Sequence, residues 1–317
     1  MQAAAKMLRG VAHDATRLRG QSMVEYVLLI AIIALVVVFA GPPVAGAIRN
    51  QLSAVAGTVD AGTNGGTGAG SGMSGGSDSG STADLSSAVS KDAAVWTLDE
   101  QKAVADDIAK NGTASKVYAK AKAAMDAGST WSVKLTNDKT MTYRIIGINH
   151  DDLADGSGKA GLTFEATNNV LGTQRVNATN TNVGGWEASE LRGRLNSGDL
   201  WSLLPTELQS KVKSVTKMTD NQGGGSAGTP SATTDRVFLL SSTEVYGDLA
   251  SDGTQYEYFK AKGVTNDNYS ELLSGFDHWT RSVGMYSSAN FYMVGRFGPW
   301  NSISAMNAIY VFPAFSF

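Results

Sequence analysis

The chain has no cysteine, and that one absence removes disulfides, thiolate metal sites and a cysteine nucleophile. Histidine is nearly as scarce: His13, His150 and His278 are all there is. Asp277 and His278 are sequence neighbours, which gives no oriented acid–base pair. No Gly-x-Ser-x-Gly elbow is present, and no Walker or dinucleotide glycine motif stands at a strand-to-helix turn. The formal net charge of -3 offers a polyanion no footprint, so no nucleic acid is expected as a partner. No catalytic residue, metal or cofactor is expected either. Two local absences are more informative. Val27 to Ala40 carries no charge at all, and Met285 to Phe317 contains no Asp, Glu or Lys.

The chain begins with a basic segment. Residues 1–20 carry Lys6, Arg9, Arg17 and Arg19 against Asp14 alone. Basic residues ahead of an apolar run stay in the cytoplasm and send the chain beyond the run outside. Counting from Ser22, the apolar run approaches the ~20 residues a membrane span needs. A secretory signal or a simple anchor fits that much. A signal, however, is cut after its apolar region, whereas the better cleavage point here, Gly20-Gln21, lies before it. Cleavage there would place a new amine one helical turn from Glu25, an acid otherwise costly at the head of an apolar run.

Gly20, Gln21, Glu25 and Tyr26 together resemble a type IV prepilin, most closely the short Flp (Tad) pilins. The resemblance implies a prepilin peptidase that cuts after Gly20, with Glu25 and Tyr26 acting in processing and assembly. It continues through Val44 to Val59, which is similar to the amphipathic second half of a Flp pilin. It departs from the family at Pro42-Pro43, a pair that kinks or breaks a helix, and in length, since a typical Flp pilin ends near Val59. Residues 1–20 are thus expected to be leader and 21–59 the pilin helix and transmembrane segment.

Residues 60–83 are almost only Gly, Ser, Thr and Ala, a flexible linker that buries nothing. With 317 residues, the chain is long enough for one or two domains with a real core. Residues 84–130 read as a helical support region. Thr97-Leu98-Asp99-Glu100 is a capping box opening a helix to about Lys110, and Ser115 to Ala127 is a second helix closed by Gly128. From Trp131 the period becomes two. Trp131–Thr136 and Thr140–Asn149 form a hairpin, and Leu162–Ala166 is a strand. His150 to Gly158 between them is an Asp/Gly turn; calcium is the alternative, but the spacing and closing Glu of an EF-hand loop are missing. Pro205 starts a short helix, Val212–Thr219 is strand-like, Asn221–Thr233 is a Gly/Ser loop, and Asp235–Leu240 is a buried strand. Ser241 to Glu244 caps a short helix.

Four phrases occur in order: Gly184-Gly185-Trp186-x-x-Ser189-x-Leu191-Arg192-x-x-Leu195-Asn196, Leu239-Leu240-Ser241-x-x-Glu244-Val245, Trp279-x-Arg281-Ser282 and Pro313-Ala314-Phe315. They resemble an uncharacterised domain family common in gut bacteria, over roughly Met141 to Phe317. The resemblance implies an α+β domain of C-type-lectin-like fold, the formylglycine-generating-enzyme type, spanning 131–317. Tyr310 and Phe312 stand where that family has a Gly and an Arg. Formylglycine-generating chemistry does not carry over, because its cysteines are missing.

The final segment mixes rigid aromatics with small polar residues, the chemistry of paratopes and of sugar-stacking surfaces. Phe291, Met293, Ile309, Val311, Phe312 and Phe315 read as core strand residues. Tyr286, Asn290, Arg296, Trp300, Asn301, Ser302, Ser304 and Asn307 fall in predicted loops. With Ser288, Tyr292, Phe297 and Tyr310 they form the candidate ligand set. A lectin-like domain ending this way is similar to the target proteins of diversity-generating retroelements, which makes 279–317 a candidate variable segment. The combined expectation is a pilin inserted in the cytoplasmic membrane as a precursor, then packed with other pilin subunits in a surface fibre. There it displays a domain that binds an extracellular protein or glycan. The alternatives are a structural pilin with a decorating domain and a membrane-anchored surface enzyme.

Overall fold

A computed structural model describes residues 79–247, 251–268, 277–295, 298–299 and 301–317. All of them fall in one compact unit of mixed α+β structure. The expectations for Gly20, Gln21, Glu25, Tyr26 and the apolar run lie outside the described residues, as do those for Arg296, Phe297 and Trp300. Among the described residues, no helix is long and apolar enough to cross a membrane.

Three helices come first: α1 (Ser79–Ser90), α2 (Leu98–Asn111) and α3 (Tyr118–Ala127). Helix α1 starts inside the segment expected to be linker. Helix α2 opens on the expected capping box, with Thr97 accepting from the Glu100 N–H and Glu100 accepting from the Thr97 N–H. Helix α3 closes on Gly128 in the left-handed region. The helices are not a separate stalk. Trp96 Nε1 donates to the Ala88 carbonyl (3.1 Å), Trp131 Nε1 to the Ala93 carbonyl (3.0 Å), and the Tyr143 hydroxyl to Gln101 (3.1 Å). Helix α2 also passes so close to the next sheet that a Cβ on Gly161 would lie 1.8 Å from the Ala105 carbonyl oxygen. Only glycine allows that approach.

The main sheet combines β1 (Thr130–Lys134), β2 (Thr140–Ile148), β3 (Leu162–Ala166), β7 (Val237–Phe238) and β12 (Ala314–Ser316). Its order is β1-β2-β3-β12-β7, antiparallel throughout. Phe315 pairs with Phe164 on one side and Val237 on the other, so the middle of the sheet is assembled from distant parts of the chain. Trp131, Tyr143, Phe164, Phe315 and Phe317 form an aromatic cluster beneath it, all at most 2% exposed.

The second sheet is ordered β10-β9-β8-β11-β4. It contains β4 (Thr173–Gln174), β8 (His278–Val283), β9 (Asn290–Val294), β10 (Ser302–Ser304) and β11 (Ile309–Tyr310). A separate hairpin pairs β5 (Val215–Thr219) with β6 (Ser231–Asp235). Strand β6 corrects the sequence reading, in which its start is loop and Asp235 begins the next strand. Its Ser-Ala-Thr-Thr composition gives no apolar alternation, and pairing with β5 supplies what composition does not. Short helices α4 (Glu190–Asn196), α5 (Asp199–Ser202), α6 (Thr206–Gln209), α7 (Ser242–Tyr246) and α8 (Glu257–Ala261) connect these layers.

Candidate functional site

Each sequence phrase has a definite task in the structure. Asp235, fully buried, accepts from Trp186 Nε1 (3.1 Å) and Thr233 Oγ1 (2.6 Å) on one oxygen and from Arg192 Nε (2.6 Å) on the other. Ser189 caps α4 by accepting from the Arg192 N–H. Asn196 holds the start of β7, donating to the Val237 carbonyl and accepting from the Arg236 N–H. The first phrase therefore locks α4 onto β6 and β7.

The second and third phrases meet in a buried ionic network. Arg281 on β8 grips both oxygens of Glu244 on α7, one contact at 2.9 Å, and donates to the carbonyls of Leu239 and Asp252. Lys217 on β5 lies 2.6 Å from Glu244 and 2.6 Å from Asp151. Tyr256 donates to Asp151 at 2.9 Å, and Thr163 does so at 2.5 Å. Two cations thus face two carboxylates, the balance that makes buried charges tolerable. Burial alone would raise the Asp151 carboxyl; the Lys217 ammonium, helped by His150, holds it down to about 2. Burial likewise pulls His150 down, but its contact with Glu257 (3.2 Å) and the charges of Asp151 and Glu244 outweigh that and raise it. Burial raises the Glu244 carboxyl, and Arg281 and Lys217 more than reverse this. The expected Asp/Gly turn forms within His150–Gly158, but Asp151 near its start is not part of its surface. Asp155 fits that reading, capping its own turn through the Ser157 N–H, whereas Asp151 is an interior charge. Among the described residues, no group of three or more acids and histidines could hold a metal ion.

The expected ligand residues occupy the other end of the second sheet, and several are not in loops. Asn290 and Tyr292 lie on β9, and Ser302 and Ser304 on β10. The register pairs Tyr292 with Ser302 and Asn290 with Ser304. Strand alternation therefore puts these four side chains on one face and Phe291, fully buried, on the other. Asn290 Nδ2 donates to Ser302 Oγ at 3.3 Å, and Ser304 Oγ donates to Asn180. Tyr286 stands in the β8–β9 turn with 92% of its surface exposed, and Ser288 in the same turn is exposed. Asn301 precedes β10, and Asn307 is exposed in the turn after it. Tyr310 is set apart on β11, paired with Thr173 and His278. Of the six expected core residues, Phe291, Met293, Val311 and Phe315 are buried; Ile309 and Phe312 are half-buried.

Asn182 organises this end, and sequence reasoning passed over it. Fully buried, it donates through Nδ2 to the carbonyls of Ser287 (2.7 Å) and Asn290 (2.8 Å), and through its main chain to the Ser288 carbonyl (2.9 Å). Its Oδ1 accepts from the Gly224 N–H at 2.8 Å. Gly223 has φ +61°, and a Cβ there would sit 2.0 Å from the Asn182 carbonyl oxygen, so the Gly-rich loop has to be glycine at this point. The Tyr286–Asn290 turn is thus held at its main-chain carbonyls by a residue outside it.

Beside this face lies a cleft of about 220 Å³. Met285, Tyr292 and Pro299, Pro230 of the β5–β6 loop, and Ser282 and Asp252 are among the residues that line it. Tyr292 belongs to both cleft and face, and burial raises its hydroxyl above the usual tyrosine range.

Residues 160–317 match a family described as a domain of unknown function, DUF6273. No curated protein and no solved structure matches the chain. The DUF6273 match contains every residue of the four phrases, the ligand face and the cleft. It starts after α1–α3, β1 and β2, although those elements share one hydrophobic core with it.

Proposed function

We propose that this chain is a Flp/Tad-like type IV pilin that displays a ligand-binding domain of C-type-lectin-like fold at the cell surface, for adhesion. The supporting observation is the division of labour at the C-terminal end. Asn182 fixes the turn through main-chain atoms, while Asn290, Tyr292, Ser302 and Ser304 form one in-register face beside the exposed Tyr286. Rigid aromatics with small polar neighbours bind protein or glycan surfaces at low entropic cost. Many copies on a fibre would convert weak single contacts into avidity. The sequence at Gly20, Glu25 and Tyr26 supplies the pilin half of the reading. Glu25 pairs with the amine released by prepilin peptidase, and the mature helix leaves the cytoplasmic membrane to pack with other subunits. Exposed side chains such as Tyr286 and Ser288, on a turn whose carbonyls Asn182 holds, also suit a segment rewritten by a retroelement.

The test compares cells carrying the wild-type chain, Glu25→Ala and Tyr286→Ser. Glu25→Ala is expected to abolish piliation. Tyr286→Ser is expected to leave pili intact and reduce attachment several-fold. Normal piliation by Glu25→Ala overturns the pilin reading. Normal attachment by Tyr286→Ser and by a Ser288→Arg/Asn307→Tyr chain overturns the ligand face and favours a domain that only decorates the fibre.

A further inference from the structure

Asp252 is 3% exposed and is one of the residues that line the cleft. Its Oδ2 accepts from Ser282 Oγ, which in turn accepts from the Ser242 N–H at 2.9 Å. Its Oδ1 is buried, and no donor among the described residues reaches it. Arg281 spends its guanidinium on Glu244 and donates to Asp252 at the main-chain carbonyl, at 2.7 Å. The two network cations are already balanced by Asp151 and Glu244. Asp252 therefore adds a third interior carboxylate that Arg281 influences only through space, with no side-chain ion pair to it among the described residues. An acceptor left in that state costs free energy until something donates to it.

We propose that the cleft is a receptacle for a lysine or arginine side chain of a protein partner, with the ammonium or guanidinium donating to Asp252 Oδ1. Three observations select this occupant. The walls are apolar and aromatic, Met285, Tyr292, Pro230 and Pro299, which suits an alkyl stem that ends in a charge. The volume of about 220 Å³ lies below the ~300–1,000 Å³ of pockets that enclose whole drug-sized ligands, so a side chain fits better than a larger molecule. A hard metal ion needs six or more oxygens. The other acid lining the cleft, Asp220, already accepts from the main-chain N–H groups of Gln222, Gly223 and Gly228, leaving Asp252 as the carboxyl still open. Through Tyr292 the cleft continues into the ligand face, so the assignment rests on that face being a docking surface; it does not need the pilin reading.

The experiment is a calorimetric titration of the full-length chain with Nα-acetyl-lysine methylamide, Nα-acetyl-arginine methylamide, the neutral norleucine analogue, butylammonium chloride and calcium chloride. Saturable binding of the lysine or arginine amide in about the millimolar range, with none for norleucine, is expected. Asp252→Asn should weaken it about tenfold or more. Met285→Trp, which fills the cleft without touching the carboxyl, should abolish it. No saturable binding by either cationic amide overturns the proposal and assigns Oδ1 to water. Binding unchanged in both variants overturns it as well. Butylammonium or calcium binding that Asp252→Asn removes, with no binding of the amides, replaces it with a free-amine or a metal site. A failed ligand face reads differently: attachment is then indifferent to Tyr286→Ser while the titration is unaffected.

Discussion

Around Glu244, side chains hold side chains; around Tyr286, one side chain holds main chain. Arg281 and Lys217 share Glu244 in the interior, and Lys217 and Tyr256 share Asp151. At the C-terminal edge, Asn182 reaches the carbonyls of Ser287 and Asn290, which any L residue in that backbone conformation would present. The contrast separates two kinds of sequence signal. Residues that form recognisable phrases here build the scaffold. Residues proposed to meet a ligand form no phrase, because their geometry is set from elsewhere.

The comparison breaks first at the interior. Glu244→Gln leaves Arg281 and Lys217 facing one carboxylate, and truncating one partner of a buried charge pair costs about 3–5 kcal/mol. A urea melt should show a large drop in midpoint; an unchanged midpoint would mean that the network contributes nothing to the fold.

An intermediate effect is expected at the rim of the network. His150, stacked on Tyr256 with ring centroids 4.0 Å apart, has a raised pKa in the folded state. Its stabilising share is therefore complete below the unfolded value of about 6.5 and lost as pH rises through the higher folded value. His150→Gln should lower stability by about 1 kcal/mol at pH 5 and converge with wild type at alkaline pH. A deficit that grows with pH would reverse the sign and count against the pairing with Glu257. Asp151 works in the opposite sense. Its folded value of about 2 means that its share is present above the ordinary carboxyl range and is lost as the medium falls toward pH 2.

The smallest effect sharpens the other half. Tyr286→Ser, Ser288→Arg and Asn307→Tyr combined should move the unfolding free energy by no more than about 0.5 kcal/mol per site. A larger loss would show that these side chains do hold the turn and would remove the physical basis for diversification.

Local signals were legible in the sequence. Both capping boxes, at Thr97/Glu100 and Ser241/Glu244, form as read, since each closes within three residues. The 130–148 hairpin and the Leu162–Ala166 strand come from alternation. Signals that depend on distance were not legible. Asp151 looks like any turn acid until Lys217, 66 residues on, and Tyr256, 105 residues on, enclose it. Asn290, Ser302 and Ser304 look like loop because polar residues on an outward strand face carry no hydrophobic alternation of their own. Asn182, in a run of Thr and Asn, has nothing to distinguish it before its partners at 287 and 290 are in place.

The interior position of β12, between β3 and β7, bears on how the chain is made. A strand formed by residues 314–316, flanked on both sides by segments synthesised much earlier, leaves the main sheet with a gap until those residues clear the ribosome. A premature stop or a frameshift anywhere upstream of Ala314 then yields a chain without this inner strand, exposing Phe164 and Val237 to proteolysis and chaperones. Substitutions in the segment before it pass this filter, whereas truncations do not. Synthesis itself thus discards broken copies of the very stretch proposed to vary.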